Sequence, residues 1–146
     1  MTKSTFPGTI KLSYFLDSNS FIRHHRTEFL LSPEQEYEER NSYLTTIFQQ
    51  ERHTSRITLR KISDSQFDVV DGLFYVDILL RFFNGLIPLP NMIADAFCIT
   101  SEAGFVGSSI KPETIRFSTA YYEYLSKNDK FNSFVNSADV PVMFEY

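Results

Sequence analysis

Two clusters of cations and one acidic turn carry the side chains of this chain whose chemistry matters first. Arg23-His24-His25-Arg26 sets two guanidinium groups three positions apart, and Arg52, His53, Arg56, Arg60 and Lys61 form the densest basic run. A guanidinium meets carboxylate or phosphate oxygens through paired N–H donors, so Arg23 and Arg26 are candidate ligands for an anion. The run of Arg52, Arg56, Arg60 and Lys61 is a candidate nucleic-acid patch, with a solvated strand face as the plainer alternative. Asp71-Gly72 is the third feature: either a carboxylate and a bare backbone presented to a ligand, or an ordinary turn and helix cap. The adjacent histidines do not make a metal site, because neighbours on a strand point to opposite faces and no cysteine or third histidine lies near. No metal and no cofactor is expected. The chain has no glycine-rich phosphate loop with its lysine, no G-x-S-x-G elbow and no H-E-x-x-H pair.

The elements that must position these groups follow from periodicity and caps. Ser32-Pro33-Glu34-Gln35 supplies a capping hydroxyl, a proline at the first helical position and a glutamine at the third, which predicts a helix over about 33 to 49. On it Tyr37, Leu44, Ile47 and Phe48 fall near one apolar face, and the early acids suit the positive helix end. Alternation predicts strands at 56–62 and 66–70, joined by a turn at Ser63-Asp64-Ser65. Leu73 to Phe83 is apolar on nearly every side except Asp77 and Arg81, which predicts a helix central to the fold, stopped by Asn84-Gly85. Asp77 and Arg81, four apart, are expected to pair with each other. Ile10 to Leu16 reads as a short helix with a strand as the alternative, residues 91–120 as an irregular insertion with one strand, and residues 127–136 as a helix. Val140 to Tyr146 reads as a strand in which Pro141 marks a sheet edge or a strand start.

Composition narrows the class. A chain of 146 residues with 42% apolar and 22% charged side chains is the size and balance of one globular domain. The aromatic share of 16%, from 15 Phe and 8 Tyr, is expected to fill the core. A net charge of −4 gives no global drive toward phosphate backbones. The lone cysteine, Cys98, cannot form an internal disulfide, and Met1 to Gly8 lack the basic start and apolar run of a signal peptide. No stretch approaches the roughly 20 apolar residues of a membrane helix. The expectation is a soluble, cytoplasmic α+β domain spanning 1–146 with no membrane partner.

The phrase Phe67-Asp68-Val69-Val70-Asp71-Gly72, followed by Leu79-Leu80-Arg81-Phe82-Phe83-Asn84-Gly85, comes after a capped helix and a basic strand. In this order it resembles the amino-terminal domain of the DGQQR-motif family, which is similar in fold to ParB and sulfiredoxin. That family includes nucleotide-dependent subunits of modification-dependent restriction and related phage-defence systems. The resemblance covers about residues 10 to 90, and the closing helix and strand suit the end of that domain. It implies a small mixed sheet packed with helices and a nucleotide site near Asp71 and Gly72.

The departure from the family pattern bears on function. Where the motif continues with two glutamines and an arginine, this chain has Leu73, Phe74 and Tyr75. Leu and Phe donate no hydrogen bond, and Tyr75 keeps one hydroxyl. Without the guanidinium, the clamp on a transferring phosphoryl group is lost. The family's early Gln-Arg pair is also missing, Arg23 to Arg26 being the nearest counterpart, and no HNH-like nuclease half is recognisable. The resemblance therefore implies a degenerate, non-catalytic interaction or regulatory protein with a protein partner, in the manner of a phage or mobile-element accessory acting on a nucleic-acid or defence enzyme. The alternatives are a nucleotide-binding or hydrolysing subunit with phosphate contacts moved to Arg23, Arg26 or Arg56, and a DNA-binding module using the basic strand.

Overall fold

The computed structural model describes residues 4–23, 32–51, 54–98 and 120–145, and elements are numbered within these. The first helix, α1 (Pro33–Phe48), begins where the cap dictates. Ser32 Oγ accepts from Gln35 N at 3.2 Å, and Gln35 Oε1 accepts from Ser32 N at 3.0 Å, satisfying two amides that the helix itself leaves open. Its far end is tied down by Gln50, a non-glycine residue at φ 55°. The Gln50 amide donates to Ile47 O at 2.7 Å and to Asp139 O at 3.1 Å, and its oxygen accepts from Asp139 N at 3.0 Å. One side chain thus closes α1 and fixes where the last strand starts.

Five strands form a mixed sheet in the order β1-β5-β3-β4-β2. They are β1 (Thr5–Lys11), β2 (Phe21–Ile22), β3 (Thr58–Ser63), β4 (Gln66–Asp71) and β5 (Asp139–Glu145). The β1–β5 and β3–β4 pairs are antiparallel, and β3–β5 and β2–β4 are parallel. Period-two alternation buries Ile10, Phe21, Leu59, Phe67, Val69, Val140 and Val142. The buried residues of α1, α2 (Leu73–Phe83), α3 (Asn91–Cys98), α4 (Tyr122–Leu125) and α5 (Asp129–Ser137) join the same cluster. This is an α+β fold. Its aromatic content goes mostly inward: Phe48, Phe82, Phe97, Phe131 and Phe134 make a network with ring centroids 5.2 to 6.3 Å apart.

The two helices expected from caps and periodicity stand where predicted, as do β3, β4 and β5, but several local expectations are corrected. Residues 10–16 are not one helix: Ile10 and Lys11 end β1, and Leu12–Leu16 is a single 3-10 turn. Pro7 and Gly8 hid the strand in the sequence, and the sheet accommodates both. Pro7 lies opposite Met143 in the edge strand, and strand alternation turns its nitrogen away from β5, so no ladder bond is lost and the open edge is blunted. Gly8 leaves room for the Phe144 ring, which a Cβ there would strike.

Pro141 sits in an interior strand and not at an edge. Met143 N donates to Ile57 O at 2.8 Å, so the Pro141 nitrogen two residues earlier points to the same flank, before the β3 ladder begins at Thr58. The apolar run from Met92 is helical as far as Cys98 and not irregular, and residues 99–119, on which the rest of the expected insertion and its strand fall, lie outside the described residues. The expected helix over 127–136 is α5, opened by Asn128, whose side chain accepts from Phe131 N at 3.1 Å. Tyr37 leaves the apolar face of α1: it is 58% exposed, with the Arg40 guanidinium 5.0 Å from its ring centroid.

Candidate functional site

The Asp71-Gly72 turn joins the end of β4 to the start of α2, and its conformation explains the glycine. Gly72 has φ 83°, and a Cβ there would collide with the Arg56 carbonyl oxygen. The Asp71 carboxylate accepts from Gly72 N at 2.9 Å, and Gly72 O accepts from Tyr75 N and Val76 N at 3.0 and 3.2 Å. Both residues act as parts of a turn that brings the helix start against the backbone before β3.

Leu73, Phe74 and Tyr75 follow, each half-buried and packed on the core cluster. The Tyr75 hydroxyl donates to Glu39 Oε1 at 2.8 Å. Arg56 donates to the same oxygen at 2.9 Å and to the Tyr75 hydroxyl at 3.1 Å, with its guanidinium 5.5 Å from the Tyr75 ring centroid. Glu36, Glu39 and Tyr43 repeat at helical spacing along α1 and meet α2. Arg81 lies 3.8 Å from Glu36, and the Tyr43 and Tyr75 rings are 4.8 Å apart. This polar seam is what sequence reasoning missed, and the spacing of 36, 39 and 43 was its only signal.

Electrostatics follow from the seam. The hydrogen bond to Tyr75 raises the Arg56 pKa above its ordinary value, so Arg56 is held as a cation. Desolvation, then the bond to Glu39, raises Tyr75 above 10.0, and burial pushes the Tyr43 phenol well above its ordinary range. Both phenols are neutral at physiological pH.

The remaining sequence candidates are spread apart. Arg23, at the end of β2, donates to Asp77 at 2.9 Å, so Asp77 does not pair with Arg81 as expected. Four residues apart permits that pair without compelling it, and each partner found a carboxylate or guanidinium on another element. Arg60 bridges Glu145 on β5 and Asp68 on β4, and Lys61 lies 3.2 Å from Asp64. Arg23, Arg56, Arg60 and Lys61 are therefore each within reach of a carboxylate. Arg26 and Arg52, with His24, His25 and His53, lie outside the described residues. Among the described residues no cluster of three metal-ligating side chains occurs, and no helix is long and apolar enough to cross a membrane.

Comparison of the chain with models of known families, with curated proteins and with solved structures gives no match. The α+β class with its five-stranded mixed sheet stands on the coordinates alone.

Proposed function

We propose that this chain is a non-catalytic interaction or regulatory protein, built like the ParB and sulfiredoxin group with the DGQQR-type motif degenerate. The observation that carries the reading is what occupies the start of α2. Leu73 and Phe74 pack on the core cluster where the resembled family has amides, and the guanidinium of Arg56, which reaches the start of α2, is engaged by Glu39 and Tyr75. A phosphate approaching this turn meets two apolar side chains, a phenol and the Asp71 carboxylate. Each missing charge-assisted contact forfeits about 1.5 to 3 kcal/mol, which puts micromolar nucleotide affinity out of reach.

The order of capped helix, hairpin, Asp-Gly turn and buried helix supports the fold-level resemblance. A protein partner, such as a nucleic-acid or defence enzyme of a phage or mobile element, is the partner class this reading implies. The cation pairing along β3 favours it over DNA binding, since Arg60 faces carboxylates of β4 and β5 and Lys61 faces Asp64 in the β3–β4 turn.

Isothermal titration of the full chain with ATP, GTP and CTP in the presence of magnesium tests the proposal. The expected result is no binding at submillimolar nucleotide and no hydrolysis. Saturable binding that disappears in Asp71→Ala or Arg23→Ala overturns it in favour of a nucleotide-binding subunit.

A further inference from the structure

An open groove of about 470 Å³ is lined on β5 by Asp139 and Phe144, with neither Asp71 nor Gly72 in its lining. Its floor is aromatic. Tyr14, from the 3-10 turn after β1, stands edge-on to Phe67 of β4 at 5.5 Å, and Phe67 lies 6.2 Å from Phe144 of β5. Phe67 is buried beneath them, whereas Tyr14 and Phe144 are half-exposed. Gly8 keeps Phe144 in place, because the ring occupies the space a side chain there would take.

The rim is polar and charge-balanced. On one side Lys11 donates to Asp139 Oδ1 at 2.9 Å and to Ser137 O at 3.2 Å, and Thr9 stands beside it. On the other side Lys61 is 3.2 Å from Asp64, whose carbonyl accepts from the Tyr14 hydroxyl at 3.3 Å.

We propose that this groove binds the ring of a neutral free saccharide. The volume falls within the range of small-molecule sites. The C–H face of such a ring stacks on Tyr14 or on Phe144 through dispersion. Its hydroxyls suit the rim for a specific reason: a hydroxyl donates to a carboxylate and accepts from an ammonium at once, so it bridges Lys61 and Asp64 with that pair intact. An anionic ligand has to compete with Asp64 or Asp139 for its lysine, and a cation has to compete with the lysines. The rim thus selects against charge.

The test is a titration of isotopically labelled full chain, followed by amide shifts, with glucose, N-acetylglucosamine, ribose, adenosine and AMP as separate probes. At least one of the three saccharides is expected to move the Thr9, Lys11, Tyr14 and Phe144 signals saturably in the millimolar range. Adenosine but not the free sugars moving them would assign the floor to a base and overturn the proposal. Lys61→Gln and Asp64→Asn, both at exposed positions, are expected to weaken binding at least about fivefold with the melting temperature unchanged. Absence of saturable shifts, shifts outside the groove, or affinity unchanged in both variants also overturns it. So does AMP binding about tenfold tighter than adenosine, because that makes the site an anion site.

Discussion

The carboxylate of Asp77 lies 2.9 Å from the guanidinium of Arg23, 54 residues earlier in the chain, and not beside Arg81 one turn along its own helix. The pair ties the short edge strand β2 to the side of α2. Both side chains are about two-fifths exposed, so solvent screens the attraction. A double-mutant cycle on Arg23→Gln and Asp77→Asn is expected to give a coupling below about 1 kcal/mol that shrinks with added salt. The corresponding cycle on Asp77 and Arg81 should give none. A large Asp77–Arg81 coupling would contradict the assigned pairing.

Gly72 and Gly85 both have positive φ, at 83° and 77°, but only Gly72 is crowded. Gly85→Ala meets open space and should cost only the backbone strain, about 1 kcal/mol. Gly72→Ala adds a collision with the Arg56 carbonyl and should cost clearly more, about 2 to 4 kcal/mol, by shifting the segment before β3. Urea denaturation of the two variants side by side checks the difference; equal costs would mean the turn relaxes freely.

Leu79 is fully buried at the centre of α2, among the largest enclosed side chains. Leu79→Ala removes methyl groups from a packed core and is expected to cost about 2 to 5 kcal/mol. Leu79→Asp strands a charge there and should prevent stable folding. Thermal melting of Leu79→Asp within a few degrees of the parent would displace α2 from the core.

The pKa values of Tyr43 and Tyr75 are raised, so the folded protein keeps protons that the unfolded chain releases above pH 10.0. Their contribution to stability is complete below that pH and is lost as pH climbs through the folded values. Spectrophotometric titration of the eight tyrosines should therefore show a late-ionising fraction, and the urea midpoint should fall from about pH 10 upward. Tyr43→Phe and Tyr75→Phe should each flatten that fall. An alkaline limb unchanged in both variants would show that other groups govern it.

What the sequence by itself determined is local. The helix start at Ser32, the stop after Phe83, the β3–β4 hairpin and the glycine at position 72 are dictated by caps, alternation and φ within a few residues of each feature. These were legible because the side chains that satisfy the backbone are neighbours in the chain. The strand order, with β5 inserted between β1 and β3, was not legible, since proline in a strand argues for an edge unless its nitrogen is known to face the gap beside Ile57. Nor was β1 itself, where Pro7 and Gly8 are tolerated by an open edge and a ring from the other end of the chain.

Of the candidate site, Asp71 and Gly72 were recognisable as a turn, while the partners of the cations were decided by tertiary structure alone. Arg56 meets Glu39 and Tyr75, Arg60 meets Asp68 and Glu145, and Arg23 meets Asp77. A long charged side chain takes whichever opposite charge the packed helices and strands bring within about 4 Å. Asp68 is set opposite Arg60 by the β3–β4 hairpin, but the other charges are supplied across separations of 17 to 85 residues, beyond the reach of any local pattern.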